Sequence, residues 1–278
     1  MTAAAAFIPA SPPPAAARRR LGGARIAGLG ILALWTLLGV AILWLLVAGY
    51  DGEMIARYLP RILDGVLTTL QLVGLSLVIG AALSIPVAAG RLSANPAIGA
   101  VTFAYSYFFR GTPLLAQTFL VYYGAGQFVG FFREIGLWWF FRDAFNCAVL
   151  TFALNTAAYQ AEILAGAIRS VPRGQWQAAQ SLALPRGVTL ARIIVPQALI
   201  TALRPYGNEV VLMIKGSAIA SIITVLDLMG QTRYAFSKTY DLQVYLWAAI
   251  LYLAMVEILR RVWDVLERRL TRHLQRTD

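Results

Sequence analysis

Of the 278 residues only one is cysteine, Cys147, and only one is histidine, His273. A disulfide within the chain is thereby excluded, and no metal site can be assembled from His and Cys. Cys147 sits in FNCAVLTF, where it reads as a small buried hydrophobe. Charge is scarce as well: 13% of residues are charged, 13 acidic against 24 basic. No G-x-x-x-x-G-K-[ST] loop occurs. If ATP drives this protein, another subunit binds it, and this chain is expected to hold no cofactor of its own.

What fills the sequence instead is apolar. Hydrophobic residues make up 59% of the chain and the mean hydropathy is +0.66, more than a soluble domain carries. These values predict an all-α integral membrane protein with room for five to seven spans of about 20–25 residues. A net charge of +11 would suit nucleic acid. Yet the arginines flank hydrophobic runs, with no aromatic-interleaved basic domain between them, so positive-inside topology explains them and no nucleic-acid partner is expected.

In chain order, residues 1–25 read as a disordered Pro- and Ala-rich tail turning basic at Arg18, Arg19, Arg20 and Arg25. The apolar run 26–49 exceeds a signal-peptide core and predicts an extra N-terminal transmembrane helix; a cleaved signal ending near Ala48 is the alternative. A short outer loop with Asp51, Glu53, Arg57 and Arg61 leads to a second span, about 62–89, rich in small residues that permit close packing in lipid. A third span starts near Ile98 and contains Arg110 and Pro113, which must face protein, headgroups or water. An aromatic outer segment, FFREIGLWWFFRD, precedes a fourth span at about 144–168. The fifth, about 190–214, holds Pro196, Pro205, Asn208 and Glu209 and is expected to break near mid-depth. The apolar run that follows Lys215 either re-enters or prolongs it. A sixth span, about 242–258, ends in a basic tail over 263–278. Six spans with both termini cytoplasmic put Arg91, Arg169, Arg173, Arg186, Arg192 and the tail arginines inside, against Arg57, Arg61, Arg133, Arg142, Arg233 and Lys238 outside.

Between the fourth and fifth spans, Pro172 and Pro185 bracket GQWQAAQSLAL, whose composition favours a helix of about three turns. Trp176, Ala179 and Ala183 fall at i, i+3 and i+7, with Ala178 and Leu182 beside them; Gln175, Gln177, Gln180 and Ser181 form the polar face. A face of small residues lets another surface approach, so this helix is expected to be docked against.

Gln177-Ala178-Ala179, Ala183, Ile193, Val195 and Pro196 resemble the EAA loop of bacterial ABC-transporter permeases, E-A-A-x-x-x-G-x9-I-x-L-P, with every spacing kept. Gln177 replaces Glu, Ala183 replaces Gly and Val195 replaces Leu; Ala183 gives up the freedom at positive φ that Gly has. FRGTPLLAQTFLVYYG resembles the signature of the polar amino acid branch of these permeases, and NEVVLM resembles a stretch of the histidine, lysine, arginine and ornithine permeases and their opine relatives. The likeness runs from about Asp64 to the C-terminus. It implies a five-helix permease core, 62–262, with a cytoplasmic coupling loop at about 169–192 in which Gln175, Trp176, Gln177, Ala178, Ala179, Leu182, Ala183 and Arg186 meet a cleft of an ABC ATPase.

The same likeness implies an ATP-driven importer of the bacterial inner membrane for polar, chiefly basic, amino acids or opines. Its partners would be an ATPase dimer carrying ATP and Mg, a second permease subunit and an extracytoplasmic binding protein; the chain itself would catalyse no chemistry. Charged residues at membrane depth mark pathways or partners. Glu209 and Asn208 are therefore candidates for the substrate path, together with Glu162 and Arg110, which are expected to form an ion pair. An ion-coupled secondary transporter is the rival reading, though no second copy of RPYGNE suggests an inverted repeat.

Overall fold

The computed structural model describes residues 23–49 and 51–271. The expectations for the tail, residues 1–22 and 272–278, lie outside them. Two units separate at Tyr50. In the first, helix α1 (Gly23–Ala48) is apolar all round and, at about 1.5 Å per residue, long enough to cross a hydrocarbon core of about 30 Å.

The second unit begins with α2 (Gly52–Arg91), 40 residues long. The expected outer loop before the second span is helical instead. Asp51 accepts hydrogen bonds from the amides of Glu53 and Met54 at 2.9 and 3.1 Å, satisfying the first turn. Met54, Ile55, Tyr58 and Ile62 then recur on one face, and Met54 packs with Ala235 and Val244. A buried stripe along α2 made of Gly65, Thr69, Ser76, Gly80, Ser84 and Ala88 follows at spacings that keep it on one side.

The expected third span is divided into α3 (Pro96–Gly111) and α4 (Leu114–Gln127). Pro113 drives Thr112 to an extended conformation, φ −110° and ψ 148°. The carbonyls freed by the break are satisfied from side chains: Gln117 Nε2 donates to Phe109 and Thr112 oxygens at 2.9 and 3.1 Å, and Asn155 Nδ2 donates to Phe109 oxygen at 2.8 Å. Inside a membrane such pairing is obligatory. Two short aromatic helices, α5 (Val129–Glu134) and α6 (Trp138–Phe141), lead to α7 (Ala144–Ser170), capped by Asp143.

Helix α7 is the centre of the unit. It buries residues on nearly every side, from Cys147 and Ala148 through Phe152, Thr156 and Gln160 to Ala165 and Ile168, and packs against α2, α3, α4 and the later α10. After it come α8 (Arg173–Ser181), the single turn α9 (Arg186–Val188), a π-helical stretch over Thr189–Ile194 and α10 (Val195–Ser217). The expected break at Pro205 is absent: α10 runs helically through it, and the irregularity lies upstream in the π-helical turn. Proline fits φ near −65° within a helix and costs one donor. Trp263 Nε1 donates to Leu203 oxygen at 2.8 Å close by, and its ring lies where a Cβ on Gly207 would sit, so the α10 crossing is pinned by a neighbour.

Beyond α10 a 3₁₀ turn (Ala218–Ile223) reverses the chain at Thr224, φ +71°. Asp227 then caps α11 (Leu228–Thr239), donated to by Gly230 amide at 2.9 Å, and α11 packs against α2 at Gly65. Helix α12 (Gln243–Thr271) extends well past the expected end of the sixth span. Among the described residues there is no strand. Four helical stretches among the described residues are both long and apolar enough to cross a membrane: Arg25–Ala48, Gly52–Arg91, Arg186–Ile223 and Gln243–Thr271. Six spans remain compatible with this count. Helix α7 has the length but carries Asn155, Gln160 and Glu162, and α3 and α4, of 16 and 14 residues, are each too short to count.

The α2–α7 seam yields a direct test. A Cβ on Gly80 would lie 2.4 Å from Thr156 Cγ2 and 3.2 Å from Ala153 oxygen, whereas one on Gly74 meets nothing within 4 Å. Overpacking of this kind costs about 1–3 kcal/mol. Gly80→Ala should therefore lower the thermal midpoint of the detergent-purified protein, and Gly74→Ala should leave it unchanged; equal midpoints would contradict close packing at this seam.

Candidate translocation groove and coupling helix

Two cavities meet at Arg110 and Glu162. The larger, roughly 400 Å³, is walled by α7 and α10 and includes Tyr159, Gly166, Thr201 and Pro205. The smaller, roughly 250 Å³, lies against α3 and the end of α2 and includes Arg91, Phe103 and Ser106. Glu162 does not pair with Arg110 as expected. Its Oε1 accepts from Arg91 Nε at 2.6 Å, with both side chains about one-fifth exposed. Arg169 Nη2 also donates to Arg91 oxygen at 2.6 Å. The end of α2 is thus tied twice to the end of α7. Arg110 lies over the Tyr159 ring at 5.3 Å, and Arg91 over Phe103 at 5.1 Å, so both guanidinium groups rest on aromatic faces.

Asn208 and Glu209 part company, because adjacent helical residues point about 100° apart. Asn208 is exposed. Glu209 is 5% exposed and accepts from Thr156 Oγ1 at 2.8 Å. Thr156 in turn accepts from Gln160 Nε2 at 3.1 Å, and Gln160 also reaches Leu77 oxygen at 3.3 Å. This polar network joins α2, α7 and α10 in the interior, and Glu209 lines neither cavity. Its hydrogen bond is made within the helix packing, and it also interacts electrostatically with Arg110 of both cavities. The charges facing open space are Arg110, Glu162 and Arg91.

Helix α8, the candidate coupling helix, is shorter than the three turns expected, since the chain leaves it at Ser181. Its end is a Schellman turn: Leu184 amide donates to Ala179 oxygen at 3.1 Å and Ala183 amide to Gln180 oxygen at 2.9 Å. Ala183 takes φ +50°, so the tight turn is kept without glycine. Gln175, Trp176, Gln177, Ala178, Leu182 and Arg186 are exposed, Leu182 at 73%. Ala179, expected on the docking face, is 2% exposed, and α8 packs against the π-helical stretch. Ala179 therefore serves packing within the chain, and the open apolar surface is Trp176, Ala178 and Leu182.

Sequence reasoning missed Arg91, Ser106, Thr156 and Tyr159. Tyr159 was within reach, one turn from Glu162 on the same helical face. The Arg91–Glu162 pair spans 71 positions and leaves no local pattern.

The profile of the binding-protein-dependent transport system inner membrane components matches residues 80–272. The nopaline transport system permease protein NocM of Agrobacterium fabrum is 41% identical over 226 residues, covering 81% of this chain and 94% of that protein. The octopine transport system permease protein OccM of Rhizobium meliloti is 39% identical, covering 78% and 89%, and the arginine ABC transporter permease protein ArtM of Escherichia coli is 36% identical, covering 77% and 96%. Among solved structures, an amino acid ABC transporter crystallised with histidines superposes with a TM-score of 0.70 at 32% identity, over 79% of this chain and 99% of that one. An inward-facing MetNI methionine ABC transporter gives a TM-score of 0.65 at 18% identity, over 80% of this chain and all of that one, a likeness of fold alone.

An L-residue in the left-handed region costs roughly 1–2 kcal/mol. Ala183→Gly should remove that strain and tighten the end of α8. The expected readout is slower amide hydrogen exchange at Leu184, whose amide closes the turn on Ala179 oxygen; faster exchange would mean that the turn is not strained.

Proposed function

The chain belongs to the family of binding-protein-dependent transport system inner membrane components, and from that premise we propose that it forms the path by which a cationic amino acid or an opine is imported. It is a membrane-spanning, non-catalytic permease subunit of an ABC importer, working with an ATPase that hydrolyses ATP and with a binding protein. The observation that carries the substrate reading is the near full-length likeness to permeases of nopaline, octopine and arginine transport. All three compounds carry a guanidinium and at least one carboxylate, and the groove offers Glu162 for the one and Arg110 for the other.

In this reading two permease subunits, identical or paralogous, enclose the path, with both termini in the cytoplasm. The binding protein delivers substrate on the outer face. Two ATPases carrying ATP and Mg grip the coupling helices, and their closure biases the permeases between inward- and outward-open states. This chain binds no cofactor. The grip falls on Trp176, Ala178 and Leu182, with Gln175, Gln177 and Arg186 at the rim. Because α8 follows α7 directly, a displacement of α8 reaches the groove through the helix that carries Tyr159 and Glu162.

Leu182→Glu should leave the amount of permease in the membrane unchanged, since the side chain is 73% exposed, yet place a charge in the docking cleft. The ATPase should co-purify at reduced yield, and stimulation of ATP hydrolysis by the loaded binding protein should fall by about tenfold or more. Full stimulation with the ATPase bound would remove this surface from the coupling interface.

A further inference from the structure

With α8 in the cytoplasm, α10 runs outward and α12 starts at the outer face, where the binding protein arrives. Two regions built there differ in kind. The α5–α6 stretch exposes Phe128, Phe131 and Trp139, the composition of a membrane interface. The other region joins the start of α2 to α11 and the start of α12 over a small apolar core in which Met54 packs with Ala235 and Val244. Its surface is charged. An open pocket of roughly 270 Å³ is lined by Asp51, Glu53, Arg57, Lys238 and Asp241 together with Tyr58, and among the described residues none of these five charges is in an ion pair. Lys238 lies over the Tyr234 ring at 5.8 Å, which positions the ammonium without neutralising it.

The turn from α11 into α12 adds an aromatic side chain to this region. Tyr240 ends α11 at φ +54°, a conformation unfavourable for a bulky L-residue. Its amide donates to Phe236 oxygen at 2.8 Å, while its side chain is 80% exposed and neighbouring Leu242 is exposed too. Strained backbone of this kind is retained where it serves a function. An outward tyrosine beside unpaired charges of both signs has the make-up of a protein-binding hot spot, and differs from the aromatic, lipid-like surface of α5–α6.

We propose that the α2–α11–α12 platform is where the binding protein docks, with Tyr240 as the anchor and the unpaired charges of the pocket selecting which binding protein is accepted. The matching surface carries charges of both signs around an apolar recess that takes the Tyr240 ring. Charges so arranged steer the approach and reject partners of mismatched pattern. This inference deepens the proposed function and rests on it.

The test uses the assembled transporter in nanodiscs with its cognate binding protein, purified and loaded with L-arginine, octopine or nopaline, and measures ATP hydrolysis against binding-protein concentration. Tyr240→Gly suits the left-handed backbone better than tyrosine does, so the turn should form while the anchor is lost. It should raise the half-maximal concentration by about tenfold or more and leave the maximal rate unchanged. Tyr240→Phe should stay within about threefold of wild type. Lys238→Glu should raise the half-maximal concentration in about 50 mM NaCl and do so less in about 500 mM, and Phe131→Ala on the α5–α6 stretch should change nothing. In a Cys147-free background, Tyr240→Cys should be shielded from an impermeant thiol reagent when loaded binding protein is added. Unchanged half-maximal concentrations for Tyr240→Gly and Lys238→Glu, or equal labelling of Tyr240→Cys with and without binding protein, would overturn the proposal. So would a lowered maximal rate at an unchanged half-maximal concentration, which would assign Tyr240 to a later step than docking. Wild type that no loaded binding protein stimulates would overturn the functional reading, and this inference with it.

Discussion

The structure depends on how closely α2 can approach α7. Lipid tails are as apolar as leucine, so membrane helices gain little by hiding apolar side chains from lipid and are held by close contact and hydrogen bonds. Gly80 meets Thr156 and Ala153 directly, Ser76 Oγ donates to Val149 oxygen at 3.4 Å, and Gln160 bonds back to Leu77. With α2 seated, α7 can present its other sides to α3, α4 and α10, and α3, α7 and α10 with the end of α2 line the two cavities. The irregular parts of the backbone are tolerated for the same reason: the carbonyls at the α3–α4 break are met by Gln117 and by Asn155 of the central helix.

At the end of the seam, Arg91 makes the packing a mechanical unit. It bonds Glu162 by its side chain and accepts from Arg169 by its backbone, just before the chain leaves α7 for α8. A displacement of α8 is then carried by two helices rather than one, and the groove wall made by Tyr159, Glu162 and Gly166 moves with it. On the other side of α8 the backbone is irregular. The π-helical turn over Thr189–Ile194 separates α8 from α10, and such turns recur where a helix must adjust locally. Helix α8 thus stands between α7, tied to α2 through Arg91, and the π-helical stretch that leads into α10, and the larger cavity lies between α7 and α10.

Much of this was legible in the sequence because it is local. The all-helical fold follows from hydropathy, helix α8 from its two prolines and the family likeness from residue spacing; the comparisons lend no support to an ion-coupled secondary transporter. What failed was the inference from a residue's chemistry to its direction. Pro205 predicts a break, but α10 tolerates it, and the irregularity in the ladder lies about three turns earlier, over Thr189–Ile194. The chemistry of Glu209 fits either a path or helix packing, and its side chain is buried against Thr156 in the interior. Ala179 is small because its own chain crowds it. Facing is decided by partners distant in sequence, as in the Arg91–Glu162 pair, and periodicity carries no record of them.

The central claim, that α2 and α7 move as one body when the ATPase drives α8, is tested by replacing the ion pair with a covalent tether. In a Cys147-free background, Arg91→Cys with Glu162→Cys should couple poorly, with ATP hydrolysis no longer raised by the loaded binding protein. Bridging the two thiols with a short bis-methanethiosulfonate reagent should restore that stimulation. A bridged transporter that is arrested, while its unbridged form cycles, would show that α2 and α7 must part during transport and would contradict the account.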